Sequence, residues 1–257
     1  VDNLFLTVQT VLEESYGLRR YSTTPENSIA TNYNAYWNNY RSKQFQNTNI
    51  LNYSLNINDI HSFTLSAIYE HSSNVFEVSD ANSTNMMTGS NQYYNLSLGN
   101  PSISSDYIED AINSYIGRLN YNLLNKYLFT VTYRNDASSR FSKENRHSTF
   151  PSYAIAWKLS EEKFMKDLNF NGELRIRASY GKIGNQNIPQ YSTINLLGSS
   201  SFYTWNGTSI SNAVNILPPT NKDLKWETTT TKNFGVDASL LSGRITFNMD
   251  YYTKKTT

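Results

Sequence analysis

The chain has 257 residues, no cysteine and a net charge of +1, from 22 Lys and Arg against 21 Asp and Glu. The lack of cysteine excludes disulfide frameworks and thiolate sites, and the balanced charge argues against nucleic acid as a partner, because such a surface needs excess cations. Asn, Ser and Thr number 34, 32 and 24, and aromatic residues make up 14%, so strands and turns are favoured over helices and over disorder.

Eight stretches of the sequence alternate apolar with polar residues, which is the period of a β-strand with one apolar face. Each stretch is about 8–10 residues long, the length of a tilted strand that crosses a bilayer. No run of about 18 apolar residues is present, so we expect strands and no transmembrane helix. The apolar positions run over 51–57, 63–69, 115–121, 127–133, 153–159, 174–180, 234–240 and 245–251.

The connections between these stretches alternate in length. Short turns on one side of a sheet and long loops on the other are typical of outer-membrane β-barrels. We therefore predict an all-β, antiparallel transmembrane β-barrel segment with its long loops outside the cell. The short turns lie around Asp59, over Leu123 to Asn125 and over Leu241 to Gly243, and the long loops cover about 71–112, 135–152 and 181–228.

The link over residues 160–172 is of intermediate length and carries a different signal. Ser160 is followed by Glu161 and Glu162, and acidic side chains stabilise the positively charged end of a helix. We therefore predict that a short helix begins in this link.

Tyrosine residues lie at the ends of the alternating stretches, and aliphatic residues lie between them. Tyr69, Tyr133 and Tyr180 would mark one membrane interface, and Tyr121 and Tyr127 the other. Amphipathic rings favour the headgroup level of a bilayer, so this placement indicates lipid-facing strands. The alternative is a soluble β-sandwich with one buried face, but its strands are usually shorter and its loops do not alternate in length.

The opposite face of the same stretches carries charged residues. Arg118, Arg175, Arg177 and Asp237 occupy positions between the apolar residues, as does Asp250. Neighbouring residues in a strand point to opposite faces, so we expect these side chains to face the lumen of a barrel. A solvated sheet face in a soluble protein would show the same alternation, so the pattern alone leaves both interpretations open.

A series of short motifs follows in chain order. They are Arg134 to Phe141, Phe150 to Ser152 before Ala156 and Trp157, Ser160 to Glu162, Leu174 to Gly181 before Gly184 to Gln186, Leu224 to Glu227, Asn233 to Asp237, and Tyr251 with Tyr252. Together they resemble SusC/RagA-type TonB-dependent outer-membrane transporters of Bacteroidetes, in which the first segment reads R-x-D-G-S-S-R-F. The resemblance is strong over 113–256, and Ala137 and Ala156 stand where that family usually has glycine.

The resemblance implies a barrel of about twenty-two strands that is plugged from the periplasmic side. Residues 1–257 would be part of its β-barrel domain, with the three long loops extracellular. A plug domain and a TonB box are not found in the sequence, so we expect either that the chain is a portion of a longer polypeptide or that other segments complete the barrel. The implied location is the outer membrane. The implied partners are outer-membrane lipid, a SusD-like surface lipoprotein, the TonB–ExbB–ExbD complex acting through the plug region, and an oligosaccharide or peptide substrate.

No motif for catalysis or for a cofactor is found in the sequence. His61, His71 and His147 lack the spacing of a metal site. The adjacent pairs Glu13–Glu14 and Glu161–Glu162 would point to opposite faces of a strand, and no nucleophile elbow or phosphate-binding loop is present. We therefore predict no enzyme activity, no catalytic residue, no metal and no cofactor.

The predicted loop over 198–208 is the best candidate for substrate binding. Phe202, Tyr203 and Trp205 lie there among Ser, Gly and Asn residues, and exposed aromatic rings stack on sugars or hold peptide side chains. The other interpretation is that these rings pack against neighbouring loops or a lid protein. A second candidate loop, 82–98, contains Met86, Met87, Tyr93 and Tyr94.

The segment Arg134 to Phe141 also has a structural interpretation. Asp136 suits a turn in which its side chain bonds the backbone, and ion pairs with Arg134 and Arg140 would hold the chain where it leaves its strand. We favour this scaffold role over direct contact with substrate.

The resemblance, together with the barrel pattern, implies the barrel portion of an active importer of oligomeric nutrients, either glycans or peptides. The alternative is a soluble or surface-attached β-rich binding module or adhesin. Solubility without detergent would favour the alternative, as would charged residues on both faces of the strands. In the sequence the charges lie mainly on one face.

Overall fold

The structure is a computed structural model that describes residues 3–24, 32–87, 93–168, 170–205, 207, 209–217 and 220–257, with the side chains of 199–205 and 209–213 left out of the description. The described chain is almost entirely β-structure. Its strands are β1 (Leu4–Thr23), β2 (Tyr33–Ile57), β3 (His61–Met86), β4 (Asn100–Leu123), β5 (Tyr127–Ser138), β6 (His147–Lys158), β7 (Gly172–Asn185), β8 (Leu197–Trp205), β9 (Ser209–Ile216), β10 (Glu227–Leu240) and β11 (Ile245–Thr256).

Nine strands form one sheet in the order β1-β2-β3-β4-β5-β6-β7-β10-β11, and β8 pairs with β9 in a separate hairpin. From β4 to β11 each neighbouring pair in the large sheet is antiparallel. The predicted all-β, antiparallel fold class is confirmed. In the part of the chain that the structure describes, no helix has the length and apolar character to span a membrane.

The chain divides into two compact units. The first contains residues 1–9, 48–71 and 112–257, and the second contains residues 10–47 and 72–111. In the second unit, the Arg41 guanidinium pairs with Glu14 at 2.6 Å and with Glu77 at 3.6 Å, and the rings of Tyr40 and Phe76 stack at 6.1 Å. This unit is therefore held by contacts that join three neighbouring strands.

The predicted short turns are present between β2 and β3, β4 and β5, and β10 and β11. The pairs Asn58–Asp59, Leu124–Asn125 and Leu241–Ser242 all have φ between 52° and 54°. Two consecutive left-handed residues match the twist of the flanking strands, which is why such turns join antiparallel neighbours tightly. Asn and Asp adopt this conformation readily, whereas Leu124 and Leu241 accept a steric cost of roughly 1–2 kcal/mol.

Several strands extend well beyond the predicted bounds. β3 continues to Met86 and β4 begins at Asn100, so the connection covers 87–99 where a loop over 71–112 was predicted. The connection from β5 to β6 covers 139–146 where 135–152 was predicted, and the segment 181–228 contains the end of β7 and the β8–β9 hairpin. The extensions carry Asn, Ser, Thr and charged residues on both faces, so they lack the alternation that a one-sided strand shows. β1 was not predicted, although Leu4, Leu6, Val8 and Leu12 lie on one of its faces.

The predicted short helix in the link after β6 is present, although it starts later than expected. A 3₁₀ turn covers Leu159–Glu161, and helix α1 covers Lys163–Asp167. Ser160 lies inside the 3₁₀ turn, and Glu162 stands at the helix N-cap without a side-chain capping bond. The carboxylate of Glu162 is instead used by two neighbouring strands.

In the first unit, the strand register aligns the apolar positions into rows across the sheet. One such row consists of Phe129, Ile155, Ala178, Phe234 and Tyr251, each directly opposite the next. Ile155 and Phe234 are 54% and 47% exposed. A soluble β-sandwich would bury this face under a second layer; among the described residues no second layer covers this row.

Candidate functional site

The polar face of the first unit brings three of the four predicted lumen-facing residues together. Arg175 and Arg177 lie on β7, and the register sets Asp237 of β10 directly across from Arg175. The Asp237 carboxylate accepts from Arg175 Nη2 at 2.8 Å and from Arg177 Nε at 3.2 Å. Asp250 of β11 completes the group, because Arg177 Nη2 donates to its Oδ2 at 2.7 Å.

Gly235 makes the contact between Arg177 and Asp250 possible. The register places Gly235 between these two residues on the central strand. A Cβ at position 235 would lie 2.6 Å from the Cζ atom of Arg177, so the guanidinium passes over bare backbone. We name Arg175, Arg177, Asp237 and Asp250 the ionic cluster.

Arg118, the fourth predicted residue, lies apart on β4. Its Nε donates to the Thr132 hydroxyl at 3.2 Å on the neighbouring strand. Between Arg118 and the ionic cluster, the polar face has small side chains that leave a shallow hollow beside the two guanidinium groups. The hollow is lined by Thr130, Ala154, Ala156, Arg175, Arg177, Ser179 and Asn233, among others.

The chemistry available to the ionic cluster is recognition through hydrogen bonds. The two guanidinium groups are matched by two carboxylates, and the carboxylates accept bonds rather than orienting a nucleophile. Among the described residues, no three His, Asp or Glu side chains are arranged to hold a metal ion. The ring nitrogens of His61 and His71 lie within hydrogen-bonding distance of Tyr121 Oη and Asn113 Oδ1, at 2.8 and 2.7 Å.

The predicted pairing of Arg134 with Asp136 is present, but it lies within β5 and not in a turn. Arg134 Nε donates to both carboxylate oxygens of Asp136 at 2.8 Å, and Arg134 Nη2 donates to the Ser114 hydroxyl at 3.0 Å. Arg140 was expected to share this ion pair. Its Nη1 donates to the backbone carbonyl of Ile188 at 3.2 Å, and its share in the ion pair stays a prediction.

An aromatic cluster, which the sequence did not indicate, lies where β5, β6, β7 and β10 end. We name Phe141, Phe150 and Trp226 the loop cluster, since all three side chains are buried. The Trp226 ring centroid lies 5.1 Å from that of Phe141 and 5.4 Å from that of Phe150. Trp226 Nε1 donates to the carbonyl of Arg146 at 3.0 Å, and the Thr193 hydroxyl donates to the carbonyl of Arg140 at 3.2 Å. These contacts join three connections into one packed region.

The predicted binding aromatics are placed by their backbone alone. Phe202, Tyr203 and Trp205 belong to β8, whose backbone pairs with β9, but their side chains lie outside the described residues. Their role in substrate binding therefore stays a prediction.

The second candidate loop was placed correctly only in part. Met86 ends β3 and is buried, whereas Met87 is exposed. Tyr93 and Tyr94 pack against each other with ring centroids 4.7 Å apart. Trp37 Nε1 donates to the Tyr93 carbonyl at 2.6 Å, so this segment is tied to β2.

Glu162 lies at the turn-side end of β5 and β6 and forms a second cluster that sequence reasoning missed. Its Oε1 accepts from Tyr127 Oη at 2.6 Å and from Trp157 Nε1 at 3.0 Å, and its Oε2 pairs with Lys126 Nζ at 3.3 Å. We name Lys126, Tyr127, Trp157 and Glu162 the rim cluster. One feature could have indicated this cluster: Tyr127 and Trp157 lie at the ends of neighbouring strands, and their polar atoms are directed toward the same turn.

We expect the link 159–168 to loosen in acid. Hydrogen bonds from the Tyr127 hydroxyl and the Trp157 indole, with the Lys126 ammonium, hold the pKa of Glu162 below its ordinary value of 4.5. Because the pKa is lowered in the folded protein, the stabilisation is present above pH 4.5 and is lost as the pH falls through the folded pKa. Amide hydrogen exchange of residues 159–168, corrected for the intrinsic rate, should therefore accelerate with falling pH.

Two variants identify the carboxylate that causes this pH dependence of exchange. Glu162→Gln should remove most of it, because the amide does not titrate. Lys166 also lowers the pKa of Glu161, so Glu161→Gln is the matched control and should keep the larger part of the response. An equal response in both variants would show that the rim cluster is not the origin.

The protein family described as TonB dependent receptor-like, beta-barrel, matches residues 2–257. TonB-dependent receptor P26 of Formosa agariphila is 39% identical over 220 residues, which is 83% of this chain and 22% of that protein. TonB-dependent receptor SusC of Bacteroides thetaiotaomicron is 48% identical over 155 residues, which is 57% of this chain and 15% of that protein. The chain thus spans less than a third of these relatives.

Solved structures give the same fold. The RagAB peptide transporter matches the whole chain with a TM-score of 0.86, and the RagAB peptide importer in its open-open state matches with a TM-score of 0.82. Both are 24% identical, and the match covers 28% of their chains.

Proposed function

The chain belongs to the TonB-dependent receptor-like β-barrel family, and from this premise we propose that it forms part of the barrel wall of an outer-membrane active transporter for oligomeric nutrients. The observation that carries this proposal is that the sheet of the first unit has two chemically different faces. One face presents rows of exposed apolar side chains, and the other presents the ionic cluster and the polar hollow. A sheet with lipid on one side and a wet lumen on the other needs this division.

Two rows of aromatic side chains support the membrane-spanning role. Near the short turns, ring centroids of Phe63 and Tyr121 are 4.5 Å apart and those of Tyr127 and Trp157 are 6.3 Å apart. Near the other end of the same strands, Tyr69 lies 5.2 Å from Tyr115, and Tyr153 lies 6.3 Å from Tyr180. The six residue-to-residue steps of strand from 127 to 133 span about 20 Å, which is of the same order as the roughly 25 Å apolar band of outer-membrane barrels.

The ionic cluster suits a lumen wall that stays hydrated without binding permanently to passing solute. Its two positive and two negative charges balance one another, so the wall offers hydrogen bonds but little net electrostatic field. Arg175 and Asp250 remain 51% and 41% exposed at their side chains, and these edges are open to a plug or to substrate. We therefore propose Arg118, Arg175, Arg177 and Asp237 as lumen-facing residues.

We propose that the complete protein imports an oligosaccharide or a peptide under a SusD-like surface lipoprotein and draws energy from TonB–ExbB–ExbD through a plug domain. The SusC relative and the fold shared with a peptide transporter support this assignment. In this arrangement the barrel wall carries out no covalent chemistry. The hairpin β8–β9, with Phe202, Tyr203 and Trp205, is our candidate for substrate contact at the extracellular side.

The test uses the full-length protein in its native host. Cells are given mixed oligopeptides and mixed oligosaccharides, and depletion of each from the medium is followed by mass spectrometry with the gene intact, with it deleted, and with TonB removed. We expect the protein in the detergent-extracted outer-membrane fraction, and uptake of one substrate class that requires both the gene and TonB. Recovery in the soluble fraction, or surface binding that is unchanged without TonB, would favour an adhesin and overturn the proposal.

A further inference from the structure

We propose that the link between β6 and β7, residues 159–168, is an anchor that lies in the phospholipid headgroup layer, and that Glu162 positions it there. This inference rests on the proposed function, because it takes the exposed apolar face of the sheet to be the lipid-facing surface. It assigns a partner, the bilayer interface, to a connection that the transport function does not use.

The link lies at the end of the sheet where the short turns are. Backbone hydrogen bonds join these connections side by side: Leu124 N donates to Ile60 O at 2.7 Å, and Lys158 N donates to Lys126 O at 2.8 Å. The turns therefore form one continuous rim. The link 159–168 continues this rim, and its 3₁₀ turn and helix α1 give it a defined shape.

Helix α1 and its C-cap expose two large apolar side chains, and this exposure is unfavourable in water. Phe164 and Leu168 are 51% and 73% exposed. Leu168 is the C-cap of α1, and its backbone N donates to Phe164 O at 3.3 Å. Residues four apart lie on the same side of a helical turn, so these two side chains form one apolar edge. Lys163 lies beside it, and its long stem lets the ammonium group reach phosphate while the apolar edge enters the acyl boundary. The Lys166 ammonium pairs with Glu161 at 2.8 Å.

The rim cluster connects this apolar edge to the lipid-facing surface. Tyr127 and Trp157 belong to the apolar face of the sheet, and both donate to the same oxygen of Glu162. Rings of this kind normally direct their polar atoms to the headgroup level. Because Glu162 occupies that position, it fixes the backbone of the link at the level of the headgroups and places α1 next to the apolar face.

Lipid is the occupant that these observations favour over a second protein. The apolar edge continues a surface of exposed aromatic and aliphatic rows, including Phe129 and Ile155. The link and the residue before it carry charges of both signs in equal number: Lys158, Lys163 and Lys166 against Glu161, Glu162 and Asp167. A zwitterionic headgroup layer matches such a mixture, since it offers both phosphate and amine.

The test measures membrane depth in the full-length protein reconstituted into phosphatidylethanolamine–phosphatidylcholine vesicles. A nitroxide label is attached at Phe164→Cys, Leu168→Cys, Lys163→Cys and Ile155→Cys in separate variants, after any native cysteines have been replaced. Collisions with oxygen, which concentrates in lipid, are compared with collisions with a water-soluble nickel chelate. We expect the ratio of oxygen collisions to nickel collisions at 164 and 168 to be several-fold higher than at 163. The ratio at 164 and 168 should also be lower than at 155.

The role of Glu162 is tested in the same samples. Glu162→Ala should lower the ratio at 164 and 168 to that of 163 and leave 155 unchanged. Glu162→Gln should preserve the depth, because its amide oxygen still accepts from Tyr127 and Trp157. An unchanged depth in Glu162→Ala would show that Glu162 does not position the link.

The outcomes separate this inference from the proposed function. A label at 155 that is in lipid, with labels at 164 and 168 in water, would overturn the anchor and leave the barrel wall intact. A label at 155 that is in water would overturn the barrel wall itself. Labels at 164 and 168 that collide with neither probe would show burial against protein, such as a second copy of the chain, and would also overturn the anchor.

Discussion

Replacing Trp226 by alanine is expected to lower the free energy of local opening of the loop cluster by about 3–5 kcal/mol. The Trp226 side chain is buried between Phe141 and Phe150, and its indole donates to the carbonyl of Arg146. Its removal therefore leaves a cavity and an unpaired carbonyl in the region that holds three connections together. The strands themselves should stay paired, because the ladder hydrogen bonds do not pass through this cluster.

The measurement is amide hydrogen exchange of residues 139–146 and 220–226 in the full-length protein. A loss of about 3 kcal/mol corresponds to roughly a hundredfold faster exchange. Phe247→Ala is the matched control, since Phe247 is 53% exposed on the apolar face and contributes nothing to the loop cluster. Equal protection in Trp226→Ala and Phe247→Ala would show that the cluster does not hold these connections.

A second variant tests the same cluster from the strand side. The ring of Phe150 lies over Gly184, and a Cβ at that position would be 2.1 Å from its Cζ atom. Gly184→Ala should therefore displace Phe150 and cost about 1–3 kcal/mol through overpacking. Gly117→Ala is its control, because nothing lies within 4 Å of a Cβ at position 117.

Replacing Asp237 by alanine is expected to destabilise the barrel wall by about 1–3 kcal/mol, because two guanidinium groups then lose a shared acceptor. The Asp237 side chain is only 18% exposed, whereas that of Arg175 is 51% exposed. Asp237→Asn keeps an acceptor oxygen and should fall between the wild type and Asp237→Ala. Unfolding by urea of the full-length protein in lipid vesicles measures the change.

Asp250→Ala provides the comparison for this prediction. Asp250 is 41% exposed and pairs with Arg177 alone among the ion pairs of the described residues, so its removal should destabilise the protein clearly less than removal of Asp237, because exposed ion pairs contribute little. Combining Asp237→Ala with Arg175→Ala should cost less than the sum of the two single changes, because both remove the same interaction. Additive effects, or equal losses for Asp237→Ala and Asp250→Ala, would contradict the shared-acceptor geometry.

The strands with one apolar and one polar face could be predicted from the sequence. Positions 174–180 alternate strictly, and positions 127–133 and 234–240 alternate except at Leu128 and Gly235, as expected when one face is apolar and the other is wet. The same alternation placed Arg175, Arg177 and Asp237 on one face. The tight turns at Asp59 and Asn125 were also predictable, since turn length and residue type are local properties.

The strand conformation of the extended parts of β2, β3 and β4 could not be predicted from the sequence, for a physical reason. Where both faces of a strand meet water, Asn, Ser and Thr occupy both, and no period distinguishes strand from loop. In those parts hydrogen bonding to the neighbouring strand decides the conformation. Met86 shows the consequence, because a residue expected in a loop is buried at the end of β3.

By itself, the sequence determined the class of the chain, the polarity of each face and the positions of the tight turns, because these depend on residues that are close in sequence. Only the tertiary structure decided which side chains meet. Trp226 reaches Phe141 and Arg146, and Glu162 receives both Tyr127 and Trp157, because strand register and the route of each connection bring distant residues within a few ångströms. Register is set by many pairings at once along the sheet, and no single segment contains that information.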